Sequence, residues 1–195
     1  MTRIYALLTA MVIVVGCTAS TLDDPLESLG EFSLGHNVVV AGKAQKGPVS
    51  RDATAEEWVS AMTAAVNDRL GRYQGTQLYH LGISVEGYML APPGVPVVYS
   101  PKSALVINVT AWDDAAGRKL NDEPHQMTIF EDTRANTVLL GSGHSRSKQE
   151  QLDGLAFNAA RAVEQWLAYH HEMNGWFTDN PTFNPPEPKR ETGDQ

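Results

Sequence analysis

Ala104-Leu-Val-Ile-Asn-Val-Thr-Ala-Trp112, followed by Asp113-Asp-Ala-Ala-Gly117, is the stretch that decides the fold. Leu105, Ile107 and Val109 fall on one side and Val106, Asn108 and Thr110 on the other, the period of two that marks a strand. The acidic, glycine-ended pentapeptide reads as a hairpin tip leading into Arg118-Lys119-Leu120. Upstream, Leu81, Ile83 and Val85 alternate with Gly82, Ser84 and Glu86, which predicts a half-buried strand reaching about Leu90. Met127–Glu131 and Thr137–Gly141 supply further strands, and the β-branched run Asn37–Ala41 another. Between two of these, Ala91–Pro101 carries four prolines and cannot lie centrally in a sheet.

Two helices flank this block. Thr54-Ala-Glu-Glu57 is a capping box, and Trp58, Met62, Ala65, Val66 and Leu70 follow at helical spacing up to a stop at Gly71 or Gly75. Ser147-Lys-Gln-Glu150 is a second capping box. Behind it Leu152, Leu155, Ala156, Ala159, Val163, Trp166 and Leu167 line one side of a long helix, with His170 and His171 in its last turn. The expected fold is therefore α+β, a mostly antiparallel sheet with two helices packed on one face as a two-layer sandwich. Trp58, Met62, Leu155, Val163 and Trp166 are expected to pack on Ile83, Ile107 and Val109.

The folded part spans 36–177. Residues 17–35 are polar and turn-rich and read as a tether, while 178–195 are rich in proline and charge and read as a disordered tail. At the N-terminus, Arg3 precedes an apolar run of twelve residues, Ile4–Val15, where a membrane-spanning helix needs about 20. A short basic region, a short apolar region and small residues after it form a secretory signal peptide, here 1–16. The run closes Val14-Val15-Gly16-Cys17, which resembles the signal of bacterial lipoproteins. That resemblance implies cleavage before Cys17, acylation of its thiol and amine, and anchoring on a membrane through those chains. Thr18 rather than an aspartate follows the cysteine, which by the same resemblance favours the periplasmic face of the outer membrane over the inner membrane.

Composition narrows the function classes. Hydrophobic residues make up 42% of the chain and charged residues 19%, enough to build a core. The net charge of −8 argues against a broad nucleic-acid interface, which needs clustered Lys and Arg. With Cys17 as the single cysteine, an intramolecular disulfide and a multi-cysteine metal site are excluded. No cofactor is called for.

The strand of the Val-Ile-Asn-Val-Thr-Ala-Trp-Asp type, its Asp-Asp-Ala-Ala-Gly turn and the closing Ala-rich helix resemble small envelope lipoproteins. These include the lipopolysaccharide-assembly (LptE-like) type, auxiliary lipoproteins of lipid-transport systems, and alphaproteobacterial lipoproteins of unknown function. The resemblance covers about Val38 to Leu167 and implies a layout, not an activity.

Gly141-Ser-Gly-His-Ser145 places serines beside a histidine but lacks the Gly-x-Ser-x-Gly elbow, so no catalytic residues are assigned. Adjacent His170 and His171 point about 100° apart on a helix, and no metal site is assigned. Arg146 and Lys148 at a helix entry form a weak candidate for an acidic headgroup. Val95, Val97, Val98 and Tyr99, apolar and stiffened by proline, form a candidate docking loop for another envelope protein. The reading favoured is a lipid-anchored, non-enzymatic scaffold or assembly factor. The alternatives are a carrier of a lipid or glycolipid in a cleft between helices and sheet and, less favoured, an envelope hydrolase.

Overall fold

Thr54 starts the first helix as its sequence requires. Its hydroxyl accepts the Glu57 amide at 3.2 Å while the Glu57 carboxylate accepts the Thr54 amide at 2.8 Å. Helix α1 runs Ala55–Leu70 and is capped at Gly71. Ser147 and Glu150 repeat the arrangement for α2, Lys148–Asn174, which ends at Gly175 with φ 68°, the left-handed cap that glycine adopts without strain. The computed structural model describes residues 22, 25–92, 102–131 and 146–178. Among these, both helices lie on one face of a six-stranded open sheet. Its strands are β1 Phe32–Val40, β2 Gln45–Lys46, β3 Gln77–Met89, β4 Ala104–Asp113, β5 Arg118–Lys119 and β6 His125–Phe130.

Strands β3 and β4 form the antiparallel centre, with Leu81 opposite Ala111, Ile83 opposite Val109 and Val85 opposite Ile107. β5 and β6 pair in succession along the far side of β4, both antiparallel. Asn121 bridges the gap between them, its amide oxygen accepting from the Ala111 amide at 2.9 Å and its NH₂ donating to the Val109 carbonyl at 3.1 Å. β1 and β2 pair in succession along the other side of β3, and both run parallel to it. The α+β class stands, and the sheet is mixed. Helix α1 returns the chain to the end of the sheet where β1 began, so β3 must run in the direction of β1.

β1 begins at Phe32, inside the stretch read from sequence as tether. Leu29 and Phe32 are 2% and 1% exposed. Phe32 stacks on Tyr79 with centroids 5.7 Å apart and meets Tyr73 and Phe177 edge-on. This apolar anchor outweighs the turn-rich composition around it. The connection from α1 to β3 passes so close beneath that a Cβ at Gly75 would sit 2.1 Å from the Glu31 carbonyl, so only glycine fits. The strand expected at 137–141 lies outside the described residues.

The two layers meet in a filled interior. Trp58 and Met62 from α1, Leu155 and Val163 from α2, and Ile83, Ile107 and Val109 from the sheet are all buried, as their spacing predicts. The opposite face of the sheet carries no helix among the described residues. Its open strip includes Val38, Val40, Gly82 and Thr128, and Val38 and Val40 are 56% and 53% exposed.

Candidate functional site

Of the residues singled out from sequence as candidate sites, the structure describes Arg146 and Lys148. Cys17, the loop residues Val95, Val97, Val98 and Tyr99, and the Gly141–Ser145 stretch lie outside the described residues. Arg146 and Lys148 do stand at the entry to α2, but Lys148 is engaged there. Its ammonium contacts the Glu57 carboxylate at 2.5 Å, tying the first turn of α2 to the first turn of α1. The Arg146 carbonyl accepts from Arg51 Nη1 at 3.2 Å. The entry is thus a junction between elements, with the Lys148 ammonium paired to Glu57.

The feature that sequence reasoning missed is a buried ionic node between the helices. Arg69 on α1 and Glu164 on α2 are 2% and 3% exposed, and Arg69 Nη1 donates to Glu164 Oε2 at 2.7 Å. Tyr73 donates its hydroxyl to Glu164 Oε1 at 2.8 Å, and Arg72 reaches the same oxygen at 3.4 Å. The guanidinium of Arg69 also lies 4.9 Å over the ring of Phe157. Burial, then the hydrogen bond to Glu164, hold the Tyr73 phenol far above its usual range, so it remains a donor. The node also holds the N-terminal segment: Arg72 Nη1 donates to the Leu22 carbonyl, and the Tyr73 hydroxyl receives the Glu27 amide. Helical phase carries the one available signal, since Arg69 falls three residues after Val66 and Glu164 three residues before Leu167, on sides that are otherwise apolar.

The histidines are placed by hydrogen bonds rather than gathered into a centre. His80 Nδ1 accepts the His36 amide at 2.8 Å, so in the neutral ring Nε2 carries the proton and donates to Asp114 at 2.9 Å. Both nitrogens are then occupied, which denies this His–Asp pair a free base. Among the described residues no group of three or more His, Cys, Asp or Glu is arranged to hold a metal ion.

At the far end of α2, Trp166 stacks on His125 (5.0 Å, 5°) and meets His170 and Trp176 edge-on. Burial, then the charge of His170, hold His125 below the usual imidazole range. The unfolded chain therefore takes up a proton at a pH where the folded ring resists it. Stability from this group is complete above the ordinary imidazole pKa of about 6.5 and declines as pH falls through it, until the folded ring titrates as well. Urea midpoints compared on either side of that pH should fall further in the natural protein than in His125→Phe. Equal falls would remove His125 from the effect.

No family model and no curated protein matches the chain. Solved structures that it resembles include a Caulobacter crescentus protein named as a lipoprotein, 17% identical with TM-score 0.37, covering 68% of this chain and 88% of that one. A second is a Xanthomonas campestris protein of the DUF330 family, 10% identical with TM-score 0.40, covering 78% and 92%. A third is a minor lipoprotein from Acinetobacter baumannii, 12% identical with TM-score 0.30, covering 69% and 94%.

Among the described residues, a concavity of about 430 Å³ lies where α1 meets the edge of β1, lined by Val39, Ala41, Ala55 and Val59, and others open on the surface. One of about 590 Å³ opens beside the end of α2, between Glu27, Tyr169, His171 and Glu172. Another, of about 260 Å³, is a dip in the open sheet face around Gly82, walled by Val38, Val40, Asn108 and Thr110. A third, of about 210 Å³, is the outer crease between α1 and α2. Among the described residues no helix is long and apolar enough to cross a membrane.

Proposed function

We propose that this chain is a lipid-anchored, non-catalytic scaffold or accessory factor of the cell envelope, held on the periplasmic face of the outer membrane by acyl chains on Cys17. The observation that carries the reading is the apolar run ending at Gly16-Cys17 in a chain with no other cysteine. The filled interior supports a scaffold over a lipid carrier. A carrier needs an enclosing pocket of several hundred Å³; the centre of the layer between helices and sheet is occupied by Trp58, Met62, Leu155 and Val163, each 0% exposed, and the concavity of about 430 Å³ between α1 and β1 lies at the sheet edge. Val95, Val97, Val98 and Tyr99 remain the proposed docking loop for another envelope protein, and Arg146 and Lys148 the proposed weak contact for an acidic headgroup.

Metabolic labelling with a fatty acid in the native host tests the anchor. The natural chain is expected to carry label and to sediment with membranes, and Cys17→Ser to lose the label entirely. A natural chain without label would overturn the lipoprotein reading.

A further inference from the structure

The N-terminal segment meets the folded body much earlier than its composition implies. Arg72 Nη1 donates to the Leu22 carbonyl, so attachment begins at Leu22, and it continues through Glu27 on Tyr73 and the buried Leu29. The Leu22 side chain lines the outer crease between the helices, with Ala61, Ala64 and Ala65 of α1 and Asp153 and Phe157 of α2. On α1, Ala64 is exposed on the side turned from Trp58, Met62 and Val66, while Ala61 and Ala65 flank that buried face and pack partly against the core, so the crease has Ala64 at its outer lip and opens on the helix side of the molecule.

Only Thr18 to Thr21 stand between Cys17 and Leu22. Five residue steps at 3.3–3.6 Å each reach at most about 18 Å. A helix about 10 Å across with a sheet packed behind it makes a body about 20 Å thick. A tether leaving the helix side therefore cannot wrap round to bring the sheet side to the membrane. Among the described residues the crease walls include Asp68 and Asp153 and no Lys or Arg, so attraction to anionic headgroups is not what we invoke for the contact. We invoke the short tether.

We propose that the outer crease between α1 and α2 is the face held against the bilayer, and that the open face of the sheet is presented away from it. The proposal rests on anchoring at Cys17. It fixes which surface a soluble or membrane-embedded partner can reach: Val38, Val40, the dip at Gly82 and Thr128 point outward, and Ala64 points to lipid.

Acylation consumes the natural thiol, so an introduced cysteine in the full lipidated chain is a unique labelling point. Ala64→Cys and Thr128→Cys, both at exposed positions, would each carry a fluorophore in phosphatidylcholine vesicles containing a headgroup-linked quencher. Quenching at position 64 is expected to exceed that at 128 by threefold or more. Inserting a Gly/Ser linker of about 20 residues after Thr18, with an r.m.s. span of about 25 Å, should bring the ratio close to one. Equal quenching in a protein that floats with vesicles and carries fatty-acid label overturns the orientation and leaves the anchor standing. A ratio unchanged by the linker overturns the short tether as its cause. Loss of both flotation and label overturns the anchor, and the orientation with it.

Discussion

Replacing Glu164 by alanine is expected to cost about 3–5 kcal/mol of folding stability, more than any surface charge in this chain would cost. The carboxylate joins Arg69, Arg72 and Tyr73 in the node, and Arg69 is 2% exposed. Two guanidinium nitrogens of Arg69, Nε and Nη2, already lack hydrogen-bond partners. Without Glu164 the charge would be left facing the ring of Phe157 and little else. The cost is that of a stranded buried charge and does not measure the worth of the pair. Arg69→Met combined with Glu164→Leu and Tyr73→Phe should therefore recover most of the loss. Denaturant titration of the single and triple variants checks both statements. A single-variant loss below about 1 kcal/mol would mean that water reaches the node.

Trp58→Ala is expected to cost a similar amount, about 3–5 kcal/mol, by a different route. The indole is 0% exposed, lies under the Tyr88 ring at 5.3 Å, and is surrounded by side chains from both layers. Truncation leaves a cavity that α1 cannot collapse into, because the Thr54–Glu57 box and the Lys148–Glu57 contact fix its first turn. Trp166 is the useful contrast: at 8% exposure and stacked by His125 at the rim, its loss falls at the lower end of the same range. Urea midpoints with an unchanged slope would separate these core losses from a change in the unfolded state. A loss under about 1 kcal/mol at Trp58 would contradict the packing.

What the sequence made legible follows from which interactions are local. Each capping box lies within four residues, so both helix starts could be read directly, and the alternation of Leu105, Ile107 and Val109 gave β4 and its buried side. Strand direction is not local. Val38 and Val39 alternate outward and inward whether β1 runs with β3 or against it, and only the crossover through α1 decides. The two-residue strands β2 and β5 have no period to display. Phe32 was hidden by Gly30 and Gly35 around it, although its ring is a core residue. The node was illegible for a related reason: Arg69 and Glu164 are 95 residues apart, and a lone charge on a helix ordinarily reads as solvated. As for the candidate site, the proposed lipidation signal and the proposed docking loop rest on local sequence alone. The attachment of Leu22 depends on Arg72, fifty residues away, and had no local mark.

The position of α2 has a consequence for the order of events during synthesis. Its buried face completes the interior, yet it is the last helix of the described fold, ending at Asn174. Until those residues have emerged, Trp58 and Met62 have no second helix beside them and Arg69 has no counter-ion. Pairing β1 with β3 also requires α1 to be in place, which makes the early contacts non-local and slow to form. A nascent chain of this kind keeps its interior open until α2 has been made.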